Sequence, residues 1–241
     1  SVESQSDNRY KTTFISGQQL SDGNDYVVGL SIGSGAGPNL YFPSQGWAQK
    51  LDGENYLKGY LKANISQWSI NAGISHRNKD IPTGYWGTVF NKSGTYNNDD
   101  YQYINISRQD DLTNNLSQLV RFRYGQYQYS GHYNYGSYQT SDWGQSQWYG
   151  LDYSANYRGI ENHRINGGIE IQENAKLILG TSSGLNNKTS YSNYSTYIQD
   201  QWTLSSTWIQ YLGIRLDKIN EQTAISPKWS IVHRASENTV I

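Results

Sequence analysis

Tyr149-Gly-Leu-Asp-Tyr-Ser-Ala-Asn-Tyr-Arg158, a short turn at Gly159–Asn162, then Arg164-Ile-Asn-Gly-Gly-Ile-Glu-Ile-Gln172: this stretch decides the fold. Successive side chains of a β-strand point to opposite faces. Tyr149, Leu151, Tyr153, Ala155 and Tyr157 therefore share one face, and Gly150, Asp152, Ser154, Asn156 and Arg158 the other. In the second arm Ile165, Gly167, Ile169 and Ile171 oppose Arg164, Asn166, Gly168, Glu170 and Gln172. One face is aliphatic at mid-strand with aromatics towards the ends. The other is too charged for the packed core of a soluble protein.

The same period of two recurs outward along the chain. Asp25–Gly33 sets Tyr26, Val28, Leu30 and Ile32 against Asp25, Gly29, Ser31 and Gly33. Leu57, Gly59, Leu61, Ala63 and Ile65 oppose Tyr56, Lys58, Tyr60, Lys62 and Asn64. Trp68, Ile70, Ala72 and Ile74 form another apolar row, and so do Trp208, Leu212, Ile214 and Leu216.

The connections alternate in length. Short turns are expected at Gln18–Asn24, Asn64–Gln67, Asp110–Asn115, Gly159–Asn162, Leu204–Ser206 and Arg234–Asn238. Long polar loops are expected at Ser34–Glu54, Arg77–Asn98, Gly131–Gln145 and Asn174–Tyr191. Ile219–Thr223 is short and breaks the length rule while keeping the up-and-down order. Short turns at one end and long loops at the other are the habit of an all-β, antiparallel, up-and-down transmembrane β-barrel. Trp68, Trp202 and Trp208 stand beside short turns, where an aromatic girdle would lie.

Composition agrees. Mean hydropathy is −0.78, yet the 241 residues include 22 Tyr and 8 Trp, too aromatic for a disordered chain. Only 16% of residues are charged, below the roughly 25% of soluble domains. A net charge of −1 gives no basic footprint for nucleic acid. Cys is absent, which removes disulfides, thiolate metal sites and Cys nucleophiles. No apolar run is long enough for a membrane helix, which does not exclude a membrane, because barrel strands carry a far weaker hydropathy signal.

About eleven full strands are expected, starting near residues 9, 25, 55, 67, 99, 116, 146, 163, 192, 207 and 224, with stubs at Ser1–Glu3 and Thr239–Ile241. A closed single-chain barrel usually has an even count. Residues 1–241 are therefore expected to be one domain that is an internal piece of a larger barrel. Two places fit less well. Val120, Phe122 and Tyr124 oppose Arg121 and Arg123, but Tyr127 and Tyr129 fall on the other parity. A bulge near Gly125, or a strand running past the membrane, would account for that. Asp200 falls on the apolar parity between Ile198 and Trp202 and is expected at an interface.

Several segments resemble TonB-dependent outer-membrane receptors. They are Asn39-Leu-Tyr-Phe-Pro43 with Leu51-Asp-Gly-Glu54, Lys79-Asp-Ile-Pro-Thr83 with Trp86-Gly-Thr-Val-Phe-Asn91 and Gly94-Thr95, and Phe122-Arg-Tyr-Gly-Gln-Tyr127. Gly168 with Glu170, Tyr197-Ile-Gln-Asp-Gln201, Gly213-Ile-Arg-Leu-Asp217 and Ser226-Pro-Lys228 continue it. The resemblance implies roughly half of a 22-stranded barrel, without the plug domain, the TonB box or the C-terminal strand. It implies that the whole protein lies in the outer membrane of a Gram-negative bacterium. There it would bind a scarce ligand, by default a ferric siderophore with cobalamin, haem or a carbohydrate left open, and import it with energy coupled through TonB. The partners implied are outer-membrane lipid, TonB and the small ligand; no cofactor and no enzymatic activity are expected.

Catalytic and metal motifs are missing. His76, His132, His163 and His233 are scattered, Asp99-Asp100 and Asp110-Asp111 point to alternating faces, and no catalytic elbow or phosphate loop occurs. The ligand-contact candidates are Tyr85, Trp86, Phe90 and Tyr96 with Lys79 and Lys92, joined by Tyr133, Tyr135, Tyr138 and Trp143 from the next loop. Aromatic faces with a few cations suit a planar, anionic ferric chelate. Arg121, Arg123, Arg164 and Arg215 on the polar face are expected to pair with carboxylates or meet a plug. A passive porin, an adhesin barrel and an extracellular β-sandwich are the alternatives.

Overall fold

The protein is described by a computed structural model covering residues 1–5, 9–236 and 239–240. The period-two segments form strands β1 (Val2–Gln5), β2 (Arg9–Gln19), β3 (Asp25–Gly35), β4 (Leu40–Phe42), β5 (Gly46–Ala48), β6 (Glu54–Ile65), β7 (Trp68–Asp80) and β8 (Tyr96–Thr113). They continue as β9 (Leu116–Asn134), β10 (Gln139–Tyr157), β11 (His163–Thr181), β12 (Asn186–Thr203), β13 (Trp208–Ile219), β14 (Gln222–Ser236) and β15 (Thr239–Val240). Three-residue 3-10 turns stand at Ser21–Gly23 and Tyr85–Gly87. All strands but β4 and β5 follow one another in a single sheet in chain order, an antiparallel meander; β4 and β5 pair as a separate hairpin. The eleven long strands and the stubs β1 and β15 match the sequence reading. Ile241 and residues 237–238 of the turn expected at Arg234–Asn238 lie outside the described residues.

Register aligns the rows read from sequence. Leu30 faces Gly59, which faces Ile74 on its other side. Leu61 lies between Val28 and Ala72, and Ile198 opposite Ile214. A slip of one residue would turn every such row over, so the alternation itself fixes the pairing. The apolar rows remain uncovered by protein: Leu30, Ile74, Ile169, Ile198 and Ile214 are 42–54% exposed.

The sequence reading needs one correction. Gly131–Gln145 and Asn174–Tyr191 are not long loops. β9, β10, β11 and β12 run on as polar, tyrosine-rich strands, leaving connections at residues 135–138 and 182–185. Tyr135 N–H donates to the Tyr138 carbonyl at 3.0 Å, and Gly136 takes φ +87°. Thr181 N–H donates to Leu185 O at 2.8 Å, with Gly184 at φ +116°. Polar residues in extended runs look like loop, but neighbouring strands satisfy their backbone groups equally well. The first long loop, residues 36–53, does exist and carries the β4–β5 hairpin; the second, residues 81–95, also exists. Continuity of β9 from Leu116 to Asn134 supports the second explanation offered for Tyr127 and Tyr129, a strand running past the apolar band.

By its contacts the chain divides into two units. One comprises Ser1–Asn105, Tyr124–Trp148 and Ala175–Ser190; the other comprises Ile106–Arg123, Tyr149–Asn174 and Tyr191–Ile241. In the first unit the buried side chains include Ala48 of β5, Ala63 of β6, Tyr133 of β9, and Thr88 and Thr95 of the 81–95 loop. On its polar face aromatic rings lie down on glycines of the adjacent strand: Tyr60 over Gly29, Tyr56 over Gly33, Tyr103 over Gly73, Trp148 over Gly125. A Cβ at Gly125 would meet the Trp148 ring at 2.1 Å. Glycine thus gives a large ring a flat seat on a sheet face that must stay wet.

In the second unit the polar face is an ion-pair network. Asp152, 7% exposed, accepts from Arg121 Nε at 2.8 Å and from Arg123 Nε and Nη2 at 2.8 Å each. Arg215 reaches Glu170 at 2.7 Å and Asp217 at 2.8 Å, and Ser195 donates to Asp217 at 2.6 Å. Of the four arginines expected to pair with carboxylates, Arg121, Arg123 and Arg215 do so, and no ion pair of Arg164 is found among the described residues. Asp200, on the apolar parity, meets His163 Nδ1 at 2.7 Å, and the His163 ring stacks on Trp202 at 5.2 Å. Asp200 stands three residues before the end of β12, beside the short connection at residues 204–207, where an interfacial residue is expected.

Candidate functional site

Loop 81–95 is fastened to the end of β9. Val89 N–H donates to Asn134 O at 2.8 Å, Asn134 Nδ2 donates to Ser93 O at 2.8 Å, and Asn134 N–H donates to Thr95 Oγ1 at 3.1 Å. Within the loop, Thr88 turns back on Tyr85: its N–H and its hydroxyl both donate to the Tyr85 carbonyl, at 3.0 and 2.8 Å. Thr88 is buried, so the turn Tyr85–Gly87 is pushed outward. Trp86 sits at its tip with φ 54° and ψ 25°, a left-handed conformation rare for a bulky residue, and is 65% exposed. Such a conformation costs about 1–3 kcal/mol and collects at functional sites.

Trp86 stands edge-on to Tyr133, ring centres 5.4 Å apart, and tilted against Tyr85 at 5.3 Å. Beneath it runs a chain of hydroxyls. Tyr129 Oη and Tyr133 Oη are 2.8 Å apart, and Tyr133 donates to the Asp142 carboxylate at 3.1 and 3.2 Å. Burial, the Tyr129 hydroxyl and the Asp142 charge together push the Tyr133 phenol well above its ordinary value, so it stays a neutral donor. Two laced hairpin ends form the rim. Ser182 N–H donates to Ser141 O at 2.8 Å, and Ser141 N–H donates to Ser182 Oγ at 2.9 Å. The result is an open cavity of about 540 Å³ lined by Trp86, Tyr129, Tyr133, Tyr135 and Asp142 with Ser and Thr hydroxyls.

The structure brings together four of the residues singled out from sequence: Tyr85, Trp86, Tyr133 and Tyr135. Tyr138 adjoins them through Tyr135, while Lys79, Phe90, Lys92, Tyr96 and Trp143 are placed elsewhere. Lys79 ion-pairs with Asp52 and also donates to its carbonyl at 2.7 Å, so its charge is already spent. Phe90 packs edge-on to Phe42 at 5.8 Å, and Tyr96 stacks on His132 at 4.5 Å. Trp143 lies on β10 over Gly180, not in a loop, and Lys92 is exposed. Tyr138 stacks on Tyr135 at 4.9 Å. Tyr129 and Asp142 were missed because both sit in strand-like runs, and only the register carries them beside Tyr133.

Gly131 is the floor of this cluster. A Cβ there would stand 2.3 Å from both Asp142 Oδ1 and Tyr133 Oη, and 2.5 Å from Tyr129 Oη. Gly131→Ala is therefore expected to break the hydroxyl chain, at a cost of about 1–3 kcal/mol. Hydrogen exchange of residues 129–142 should rise while the second unit keeps its protection.

No protein-family model matches the chain, and no curated relative does. Solved structures do. The ferric yersiniabactin uptake receptor FyuA from Yersinia pestis matches with a TM-score of 0.61 at 12% identity, over 96% of this chain and 43% of its own. The ferric citrate transporter FecA matches at 0.67 and 11%, over 96% and 40%. The ferric-catecholate import receptor Fiu from E. coli K12 matches at 0.68 and 9%, over 97% and 47%. This chain has the fold of part of a TonB-dependent receptor barrel. It spans less than half the length of these receptors, each of which is a transport protein and not an enzyme. The receptor fold accounts for the exposed aliphatic rows, the wet ion-paired face and the elaborated connections at one end of the strands.

Proposed function

We propose that the whole protein is an outer-membrane receptor of a Gram-negative bacterium. It binds a scarce ligand at the cell surface and imports it with energy coupled through TonB. The observation that carries this reading is the receptor-barrel fold over nearly the whole chain, combined with aliphatic rows that the protein leaves exposed, as lipid-facing strands would. Charged residues line the opposite face, which in a receptor borders a lumen and a plug. The names of the structural neighbours make a ferric siderophore the first ligand class to test. Charge attraction from Lys79 does not support that class, since Asp52 holds it.

Cells carrying the full-length gene should accumulate ligand only when TonB is functional. Uptake of labelled ferric chelates and labelled oligosaccharides, with and without TonB, measures this directly. Small-solute entry that persists without TonB would replace the receptor with a passive porin.

A further inference from the structure

The ligand class can be read from the cavity under Trp86. Among the described residues that line it there is no Lys, Arg or His; the one ionised side chain is Asp142. An anionic chelate entering here would meet a carboxylate with no cation to offset it. The remaining polar groups are hydroxyls: Tyr129, Tyr133, Thr140, Ser141 and Ser182 among them. A hydroxyl donates once and accepts twice, and a carboxylate accepts on both oxygens. Such a lining matches a ligand that is itself dense in hydroxyls.

The aromatic part points the same way. Trp86 and Tyr85 are more than half exposed, held outward by the buried Thr88 turn, and Trp86 keeps a strained backbone to stay there. An exposed indole face is electron-rich, and it attracts the electropositive C–H face of a saturated ring. Rings with an apolar C–H face and a hydroxyl-studded edge are sugars. The platform takes the face while the Tyr129–Tyr133–Asp142 chain takes the edge. With about 540 Å³, the cavity holds a few sugar rings.

Resting on the receptor reading above, we propose that this cavity binds a neutral oligosaccharide, with Trp86 as the stacking platform and Asp142 as the principal hydroxyl acceptor. Tyr133 acts as a positioning residue, fixing the carboxylate through its phenol.

The test uses the full-length protein in detergent on an array of neutral glucans, chitooligosaccharides and xylans, acidic glycans, and ferric citrate and ferric catecholate chelates. A neutral glycan should be retained and should quench tryptophan fluorescence. Trp86→Ala should weaken it at least tenfold, and Asp142→Asn by a smaller factor. Trp143→Ala, which removes an indole outside the cavity, should leave affinity unchanged and shows that the fold tolerates loss of a nearby aromatic. Binding of a ferric chelate, or of acidic glycans alone, with no neutral glycan retained would overturn the sugar assignment and leave the receptor reading standing. Retention of nothing, together with TonB-independent solute entry in cells, would overturn both. A neutral glycan whose affinity is untouched by Trp86→Ala would also overturn this site.

Discussion

Asp152→Ala should lower the unfolding free energy of the full-length protein in detergent by about 2–3 kcal/mol. Removing one partner of a buried ion pair costs about 3–5 kcal/mol, because the other charge is left in a poor solvent. Here the figure is discounted, since Arg121 is 45% and Arg123 28% exposed at the side chain and water can partly solvate both. Arg123 is the decisive partner: it makes the bidentate contact, and its third nitrogen reaches Gln172 at 3.4 Å. Without the carboxylate, two guanidinium groups two residues apart on β9 would be left side by side with no shared counter-charge. Asp152→Asn keeps an acceptor but loses the charge and should fall between wild type and alanine. Arg121→Ala, the more exposed partner, should cost under about 1 kcal/mol. Thermal and denaturant unfolding of the three variants give the order; an Asp152→Ala protein within 0.5 kcal/mol of wild type, to within roughly the usual error, would show that the network is ornamental.

The second large effect belongs to the opposite face. Ile214→Arg should block folding into lipid vesicles, at a cost of about 2–4 kcal/mol for an arginine at mid-bilayer depth. Ile214 lies mid-strand in β13, between Ile198 and Pro227 and flanked on its own row by Leu212 and Leu216. It is 51% exposed, so an arginine there has room and no steric reason to disrupt the sheet. In water the same change would be close to neutral. Gln201→Arg, on the polar parity of β12 opposite Tyr211, is the matched control and should fold normally. Heat-modifiable migration after vesicle refolding measures both. If the two variants fold equally well, the aliphatic rows do not face lipid, and a sandwich whose rows are covered by another sheet regains its place.

These outcomes bear on how far a chain like this can be read. Rows such as Leu57, Gly59 and Leu61 were legible because strand geometry is local: a side chain's face depends on parity alone. The turn at Gly159–Asn162 was legible because Gly and Asn accept positive φ, and Asn162 does take φ 62°. The ends of β9 through β12 were not legible. Segments such as Gly131–Asn134 and Asn186–Ser190 carry no apolar row, and a wet ribbon and a loop have the same composition. Loop aromatics were identified by kind, but their grouping was not. Trp86 and Tyr133 are far apart in sequence, and their meeting depends on Asn134 tying loop 81–95 to β9.

Sequence by itself determined the strands, their order and the division into an aliphatic and a charged face. All of these follow from parity and turn chemistry, which act over a few residues. Only the tertiary structure decided which charges are already paired, as Lys79 is with Asp52, and which aromatics stand open, as Trp86 does. It also placed Tyr129, Tyr133 and Asp142 in one hydrogen-bonded chain. The reason is register. Cross-strand partners are chosen by how whole strands align, and a side chain's availability to a ligand is what remains once those partners have been satisfied.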